Sequence, residues 1–236
     1  MKIISLLIFL FLSFIITEEK NEIPKIPQKN ALTIDFNRID EYMQFVNPID
    51  NTKLTEEEGK SKMRDEVLLF EFNHAKPYTK KYWNILDELF YHQIGEGSTV
   101  SNQLTVVAPQ NVKIGKSVYI MNGVLLMASG GIIIEDYVLI AAHAKIITND
   151  HDPYFRPIIT CQPIIIKEGA WIGAGAAIMK GVTVGKYAIV GANSVVTKDV
   201  PDYAVVVGIP AKVIKYLDPS KFSKRDKTLK RAYVED

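Results

Sequence analysis

IKEGAWIGAGAAIMKGVTVGKYAIVGANSVVTKDV, residues 166–200, decides the fold, because an aliphatic residue returns in it every six residues. Four places after each of these leading residues stands an alanine, a serine or a valine. A period of six fits neither the 3.6-residue period of a helix nor the two-residue period of a strand. It is typical of a parallel β-helix, in which short strands stack into coils.

The same repeat extends back to Ile114. Its leading residues are Ile114, Ile120, Leu126, Ile134, Ile140, Ile146, Ile166, Ile172, Ile178, Val184, Val190 and Val196. The register slips twice: Leu126 to Ile134 is eight residues, and Ile146 to Ile166 is twenty, or three sixes plus two. Three six-residue strands close one triangular coil, with the leading residue and its small partner inside. Several leading residues are followed by glycine, as at Gly115, Gly173, Gly185 and Gly191, where we expect the missing Cβ to relieve strain at a corner.

The composition predicts one domain of ordinary size with a small appendage. The chain has 236 residues, of which 47% are hydrophobic, and a net charge of +1. That charge gives no reason to expect a polyanionic partner, and we expect no nucleic acid. Cys161 is the one cysteine, so no internal disulfide can form. We interpret it as a buried or idle thiol in a loop rather than a catalytic nucleophile.

The N-terminus reads MKIISLLIFLFLSFIIT over residues 1–17, a lysine followed by an apolar run. This pattern indicates a signal peptide, because the apolar run is shorter than a spanning helix needs. The small-residue cleavage motif is poor, so an uncleaved anchor is the alternative. We therefore expect the secretory pathway or membrane anchoring, with a cytoplasmic location as the alternative. Any membrane contact would then come through this segment. Residues 18–40 are interpreted as a linker.

Residues 41–93 are predicted to be a helical region. Thr55 is a candidate N-cap, with acidic residues in the first turn after it. After Pro77, a second helical segment can place Tyr82, Leu86 and Phe90 on one face, together with Leu89. An apolar helical pair must pack on something, and the open first coil of the β-helix offers such a surface. The β-helix itself is expected over 94–216, and a basic tail over 217–236.

The second register slip contains the candidate chemistry. ITNDHDPYFRPIITCQP, residues 147–163, is polar and rich in proline, leaves the coil and returns at Ile164. Its His151 stands between Asp150 and Asp152. Histidine suits a general base that must be neutral near pH 7. Either aspartate or a backbone carbonyl could fix its tautomer. A loop histidine that caps a turn is the alternative.

Two stretches resemble a known family. Residues 166–215 look like the hexapeptide-repeat acyltransferases, and LLFEFNHAKPYTKKYWNILDELF, residues 68–90, resembles the N-terminal region of galactoside and maltose O-acetyltransferases. The likeness covers roughly Tyr42 to Tyr216. It implies an all-β dominated fold, a left-handed parallel β-helix with a small N-terminal helical region and a C-terminal extension. It also implies a homotrimer that transfers acetyl from acetyl-CoA to a small hydroxyl acceptor, without a metal.

The resemblance also assigns roles to residues. His151 matches the catalytic histidine, and Trp171 matches a tryptophan beside the acetyl group. The other positions that match donor-binding residues are Ala174, Ala192, Thr197, Lys198, Lys212 and Lys215. On the acceptor side, Asp50 is a candidate acidic contact, as is the nearby Asn47. Asn122 and Ser129 stand near or at positions where the family carries an asparagine and an acidic residue, so the acceptor can differ from a galactoside or maltose.

Three other functions remain open. A serine acetyltransferase shares the coil but would carry a larger helical domain. A γ-type carbonic anhydrase needs three histidine ligands, whereas only His143 and His151 lie within the repeats. A non-catalytic β-helix scaffold would not bind acetyl-CoA.

Overall fold

The structure is a computed structural model that describes residues 36–38, 40, 47–50, 52–53 and 55–222. The predicted signal segment, most of the linker and the end of the basic tail lie outside these residues. None of the described helices is long and apolar enough to cross a membrane. Short 3₁₀ helices occur at Phe36–Arg38, Pro109–Asn111 and Pro219–Phe222.

Three sheets form the faces of a triangular prism, and their strands are parallel except for the last pair on face one, which is antiparallel. Face one contains β2 (Thr99–Val100), β5 (Tyr119–Ile120), β8 (Leu139–Ile140), β13 (Trp171–Ile172), β16 (Ile189–Val190), β18 (Ala204–Gly208) and β19 (Ala211–Tyr216). Face two contains β3 (Thr105–Val107), β6 (Leu125–Met127), β9 (Lys145–Ile147), β14 (Ala177–Met179) and β17 (Val195–Val196). Face three contains β4 (Val112–Ile114), β7 (Ile132–Ile134), β12 (Ile164–Ile166) and β15 (Thr183–Val184). The parallel β-helix that the six-residue repeat predicts is therefore confirmed.

The leading residues of the repeat fill the inside of the prism. Ile120, Ile140 and Ile172 stack in register on face one and are at most 1% exposed. The small followers, such as Ala144 and Ala176, are fully buried with them. One continuous apolar core results, which suits β-branched chains on a pleated surface and small side chains at a narrow centre.

The two register slips have different structural meanings. The eight-residue step from Leu126 to Ile134 repeats a step from Val106 to Ile114, so both coils carry the same two extra residues at the corner between faces two and three. The twenty residues from Ile146 to Ile166 make a single step from face two to face three. They are therefore one six-residue step with fourteen residues inserted, not three hexads plus two.

The glycines that follow leading residues serve packing between coils. Gly115, Gly173 and Gly185 do not have positive φ. A Cβ on Gly173 would lie 2.6 Å from the backbone nitrogen of Ala192, in the next coil. The expectation of strain relief at a corner is thus wrong for these positions. The missing side chain instead lets consecutive coils approach each other.

Two helices cover the first coil. They are α1 (Glu56–His74) and α2 (Lys80–Leu89). Thr55 caps α1 in a capping box with Glu58, as its position predicts. Phe72 of α1 and Tyr82, Leu86, Leu89 and Phe90 of the second helical segment join the core of the prism.

Hydrogen bonds hold the helices on the coil. The Asn73 side chain donates to the Leu104 carbonyl and accepts from the Leu104 N–H, both at 2.9 Å. The Tyr82 hydroxyl donates to the Val100 carbonyl. The predicted packing of the helical pair on the open end of the prism is observed.

Candidate active site

The fourteen inserted residues form a hairpin that stands off the prism. Its strands are β10 (Asn149–His151) and β11 (Ile158–Cys161), and β1 (Asn47–Asp50) pairs antiparallel with the outer edge of β11. His151 pairs with Ile159, and Ile159 pairs in turn with Ile49. We call this three-stranded sheet the excursion. The N-terminal region thus contributes a strand beside the candidate base.

The imidazole of His151 is oriented by a backbone carbonyl. Its Nδ1 lies 2.6 Å from the carbonyl oxygen of Arg156, within the same hairpin. A carbonyl can only accept, so Nδ1 carries the proton and the neutral ring has its lone pair on Nε2. His151 is exposed, so this lone pair can meet a substrate. Of the alternatives that the sequence left open, the carbonyl is the one observed.

Both neighbouring aspartates have other partners. Asp152 accepts the backbone N–H groups of Phe155 and Tyr154 at 2.8 Å, and these bonds lower the pKa of its carboxyl. Asp150 forms an ion pair with Lys180, whose Nζ is 3.1 Å from Oδ2. Asp152 therefore shapes the turn of the hairpin, and Asp150 faces the prism.

Lys180 was not singled out by sequence reasoning. It follows β14 at the corner between faces two and three, and its Nζ also donates to the Thr160 hydroxyl at 2.6 Å. A single lysine in a repeat is an ordinary surface charge by sequence. Its role depends on how the excursion folds back, which no local pattern reveals.

Cys161 is buried on β11, and burial raises the pKa of its thiol to about 12. Because the thiolate is the nucleophile, a thiol that stays protonated near neutral pH is inert. Ile49, Ile159 and Cys161 form a small apolar cluster on the face of the excursion that also bears His151. The prediction that this cysteine is a buried thiol is confirmed. Its predicted position in a loop is wrong, because Cys161 lies on the strand β11.

The acceptor-side candidates occupy different places. Asp50 lies at the end of β1, where the Thr52 hydroxyl donates to it at 2.6 Å and lowers the pKa of its carboxyl. Ser129 lies at the corner from which the excursion rises, next to the bond between the Gly130 N–H and the Thr148 hydroxyl. Asn122 lies at the corner between faces one and two, 3.5 Å from the Gln103 side chain. Asp50 is thus part of the excursion and Ser129 lies at the corner from which it rises, whereas Asn122 lies at the other edge of face two.

The donor-side candidates are also divided. Ala174 and Ala192 follow β13 and β16, so they share the corner of Asn122. Thr197 and Lys198 follow β17 at the corner between faces two and three, the corner of His151. These two pairs of donor-side candidates thus lie at opposite edges of face two.

The remaining donor-side candidates lie on face one. Lys212 and Lys215 lie exposed on β19, the edge strand. Trp171 is 49% exposed, with Leu139 and Ile189 as its neighbours across the strands. In one chain these side chains are open to solvent.

The two histidines within the repeats, His143 and His151, lie apart from each other. His143 stands at the corner between faces one and two, where its ring covers Gly123. His151 lies at the other edge of face two. Within the described part of the chain, no three histidine, cysteine or carboxylate side chains lie together as metal ligands would.

Comparison with known proteins identifies the class. Residues 163–198 match the family described as bacterial transferase hexapeptide (six repeats). A relative from Staphylococcus aureus (strain Mu50 / ATCC 700699), named "Putative acetyltransferase SAV2555", is 33% identical over 181 residues, which cover 71% of this chain and 87% of the relative. The chain belongs to the hexapeptide-repeat acetyltransferases.

Solved structures agree with this assignment. A galactoside acetyltransferase in complex with coenzyme A has a TM-score of 0.69 and 27% identity, over 84% of this chain and 98% of that chain. A hexapeptide-repeat acetyltransferase from Vibrio cholerae O1 biovar eltor, complexed with acetyl coenzyme A, has a TM-score of 0.66 and 29% identity, over 70% and 91% of the two chains. The predicted fold class and the predicted enzyme class are both confirmed.

Proposed function

We propose that this protein transfers the acetyl group of acetyl-CoA to a hydroxyl of a sugar or glycoside, with His151 as the general base. The observation that carries the proposal is the bond from the His151 ring to the Arg156 carbonyl, which leaves Nε2 as a proton acceptor on an exposed hairpin. Acetyl-CoA as the donor is supported by the similar structure that holds acetyl coenzyme A. A sugar or glycoside as the acceptor is supported by the similar galactoside acetyltransferase.

The reaction proceeds by direct attack within a ternary complex. Nε2 of His151 takes the proton of the acceptor hydroxyl while the oxygen bonds to the thioester carbonyl carbon. The carbon–sulfur bond then breaks, and the coenzyme A thiolate takes the proton back from Nε2. The products are an acetyl ester and free coenzyme A. The thioester is already activated, so the inert Cys161 thiol is not needed.

Acetyl-CoA is anionic, and the lysines at the candidate donor positions suit it. Lys198, Lys212 and Lys215 are all exposed and can reach phosphate groups. A lysine offers a compact charge with three donors, in contrast to the planar fork of arginine. Trp171 supplies an apolar surface for the acetyl end of the donor.

A homotrimer would unite the two halves of the site. One copy presents the His151 corner, and a neighbouring copy would present the corner of Asn122, Ala174 and Ala192. An outward apolar column on face one supports such packing, because Leu139 and Trp171 are 40% and 49% exposed. We propose that sites form between copies and that Asp50, Ser129 and Asn122 contact the acceptor there.

We further propose that residues 1–17 direct the chain to the secretory pathway or a membrane.

The test is release of thiol from acetyl-CoA with a panel of sugars, glycosides and amino alcohols. His151→Ala should lower kcat by about 10²- to 10⁴-fold, the usual contribution of a general base. The matched control is His74→Ala, a histidine exposed at the end of α1, which should retain wild-type rates. Activity of His151→Ala within threefold of wild type would refute the role of His151. Failure to bind acetyl-CoA would refute the enzymatic function itself.

A further inference from the structure

The excursion needs an anchor to the prism, because the bond that orients His151 lies within the excursion itself. His151 and Arg156 move together if the hairpin tilts. At its base the hairpin is tied by Thr148, whose hydroxyl donates to the Met127 carbonyl at 2.6 Å and accepts from the Gly130 N–H. These bonds fix the stem of the hairpin, but they do not reach the level of His151.

Lys180 contacts the hairpin nearer to His151. It belongs to the next coil, since Met179 pairs with Ile147 and Lys180 follows Met179. Its Nζ donates to the Thr160 hydroxyl at 2.6 Å and lies 3.1 Å from Asp150 Oδ2. Asp150 and Thr160 are directly opposite each other on β10 and β11. A single cation therefore holds both strands, and we call these three residues the clamp.

The clamp does not lie on the face that would meet substrate. Successive side chains of a strand point to opposite faces, so Asp150 and its partner Thr160 lie on the face away from His151. The Lys180 side chain is 23% exposed and that of Asp150 is 51% exposed. Lys180 is thus partly withdrawn from water. A charge-assisted hydrogen bond at such a partly buried position is stronger than one on an open surface.

We propose that Lys180 is a positioning residue, which fixes the height and tilt of the His151 hairpin over the prism by clamping Asp150 and Thr160. This inference rests on the proposed role of His151. A general base must stand within hydrogen-bond reach of the hydroxyl it deprotonates, so a small tilt of β10 lowers the rate of the chemical step. Binding of acetyl-CoA along the prism would not change.

The test compares Lys180→Met with Lys180→Arg in the full chain. Methionine keeps an unbranched apolar stem but removes the charge and the donor, whereas arginine keeps both. We expect Lys180→Met to lower kcat about tenfold, with KM for acetyl-CoA within twofold of wild type. Lys180→Arg should restore at least half of kcat. Lys113→Met, on an exposed position of β4, is the control and should match wild type.

A second readout does not depend on catalysis. Tyr154 and Phe155 at the tip of the hairpin are 96% and 53% exposed, so chymotrypsin can cut there once the hairpin loosens. Mass spectrometry should show cleavage after these two residues at least threefold faster in Lys180→Met, and at the wild-type rate in Lys180→Arg. Thr160→Val, which removes one bond of the clamp, should have an intermediate effect on both readouts.

Three results would overturn the proposal. The first is a kcat within twofold of wild type in both Lys180→Met and Thr160→Val. The second is unchanged cleavage of the hairpin in both variants. The third is a parallel loss of kcat, acetyl-CoA binding and thermal stability, which indicates a general structural role. Full activity of His151→Ala would instead contradict the proposed function, and the cleavage experiment would still decide whether the clamp holds the hairpin.

Discussion

At the scale of single residues, the sequence indicates a candidate base but not the environment of its ring. His151 stands out because a histidine between two aspartates occurs in a polar stretch that interrupts a repeat. The partner of its ring is the Arg156 carbonyl, which any residue type could have supplied. Asp150 and Asp152 were equally plausible partners by sequence. Only the pairing of the two strands shows that they point to other groups.

Cys161 gives a prediction at this scale. Burial raises the pKa of its thiol to about 12, so it stays protonated below that pH and its alkylation by iodoacetamide at pH 8 should be slow. Cys161→Ala should keep kcat within twofold of wild type. Loss of the sulfur from a packed site should lower the free energy of unfolding by about 1 kcal/mol. Denaturant titration and acetyl transfer measure the two effects, and a loss of kcat beyond tenfold without unfolding would contradict an inert thiol.

At the scale of elements, the repeat predicted the strands and the prism because each coil obeys one local rule. The leading aliphatic residues point inward wherever the period holds, and they are the core that the structure shows. The helices were predicted for a similar reason, since capping and apolar spacing are local signals. The excursion was not predicted as a sheet. Its third strand, β1, comes from about a hundred residues earlier in the chain. Such a long-range pairing produces no periodic pattern in the sequence.

The contact between α1 and the first coil can be tested through Asn73. Its amide satisfies both backbone groups of Leu104, which is 2% exposed. Asn73→Ala should lower the free energy of unfolding by about 2–4 kcal/mol, because two buried backbone groups lose their partners. Glu71→Ala, at an exposed position two residues earlier, should stay within about 0.5 kcal/mol. Equal midpoints for the two variants in urea would show that the amide does not hold the helix on the coil.

At the scale of the whole molecule, the candidate residues are divided between the two edges of face two and the strands of face one. The sequence placed the candidate residues on a repeat but gave no reason to expect them at different corners. A prism is stiff along its length, so residues at separate corners do not approach each other by bending. The proposed trimer would solve this by bringing a corner of one copy to the opposite corner of its neighbour.

The proposed trimer gives a prediction that concerns the outward apolar column of face one. Leu139→Asp should leave a single chain folded, because the side chain is 40% exposed, but it should convert a trimer to monomers and abolish activity. An unpaired carboxylate buried in an interface costs several kcal/mol. Light scattering after size exclusion measures the mass of the particle. Val67→Asp, which changes an exposed aliphatic residue of α1, is the control and should remain trimeric.

The excursion leaves the stacking of the coils unchanged. Ile134 pairs with Ile166 across the inserted residues as regularly as Ile114 pairs with Ile134, where nothing of that size intervenes. The entropic cost of a loop grows only with the logarithm of its length, so this corner can gain or lose residues at little expense in stability. The sequence of the hairpin that carries the candidate base can therefore change while the coils that carry the candidate donor-binding residues stay the same. Acceptor preference and donor preference would then diverge at different rates among proteins built on this prism.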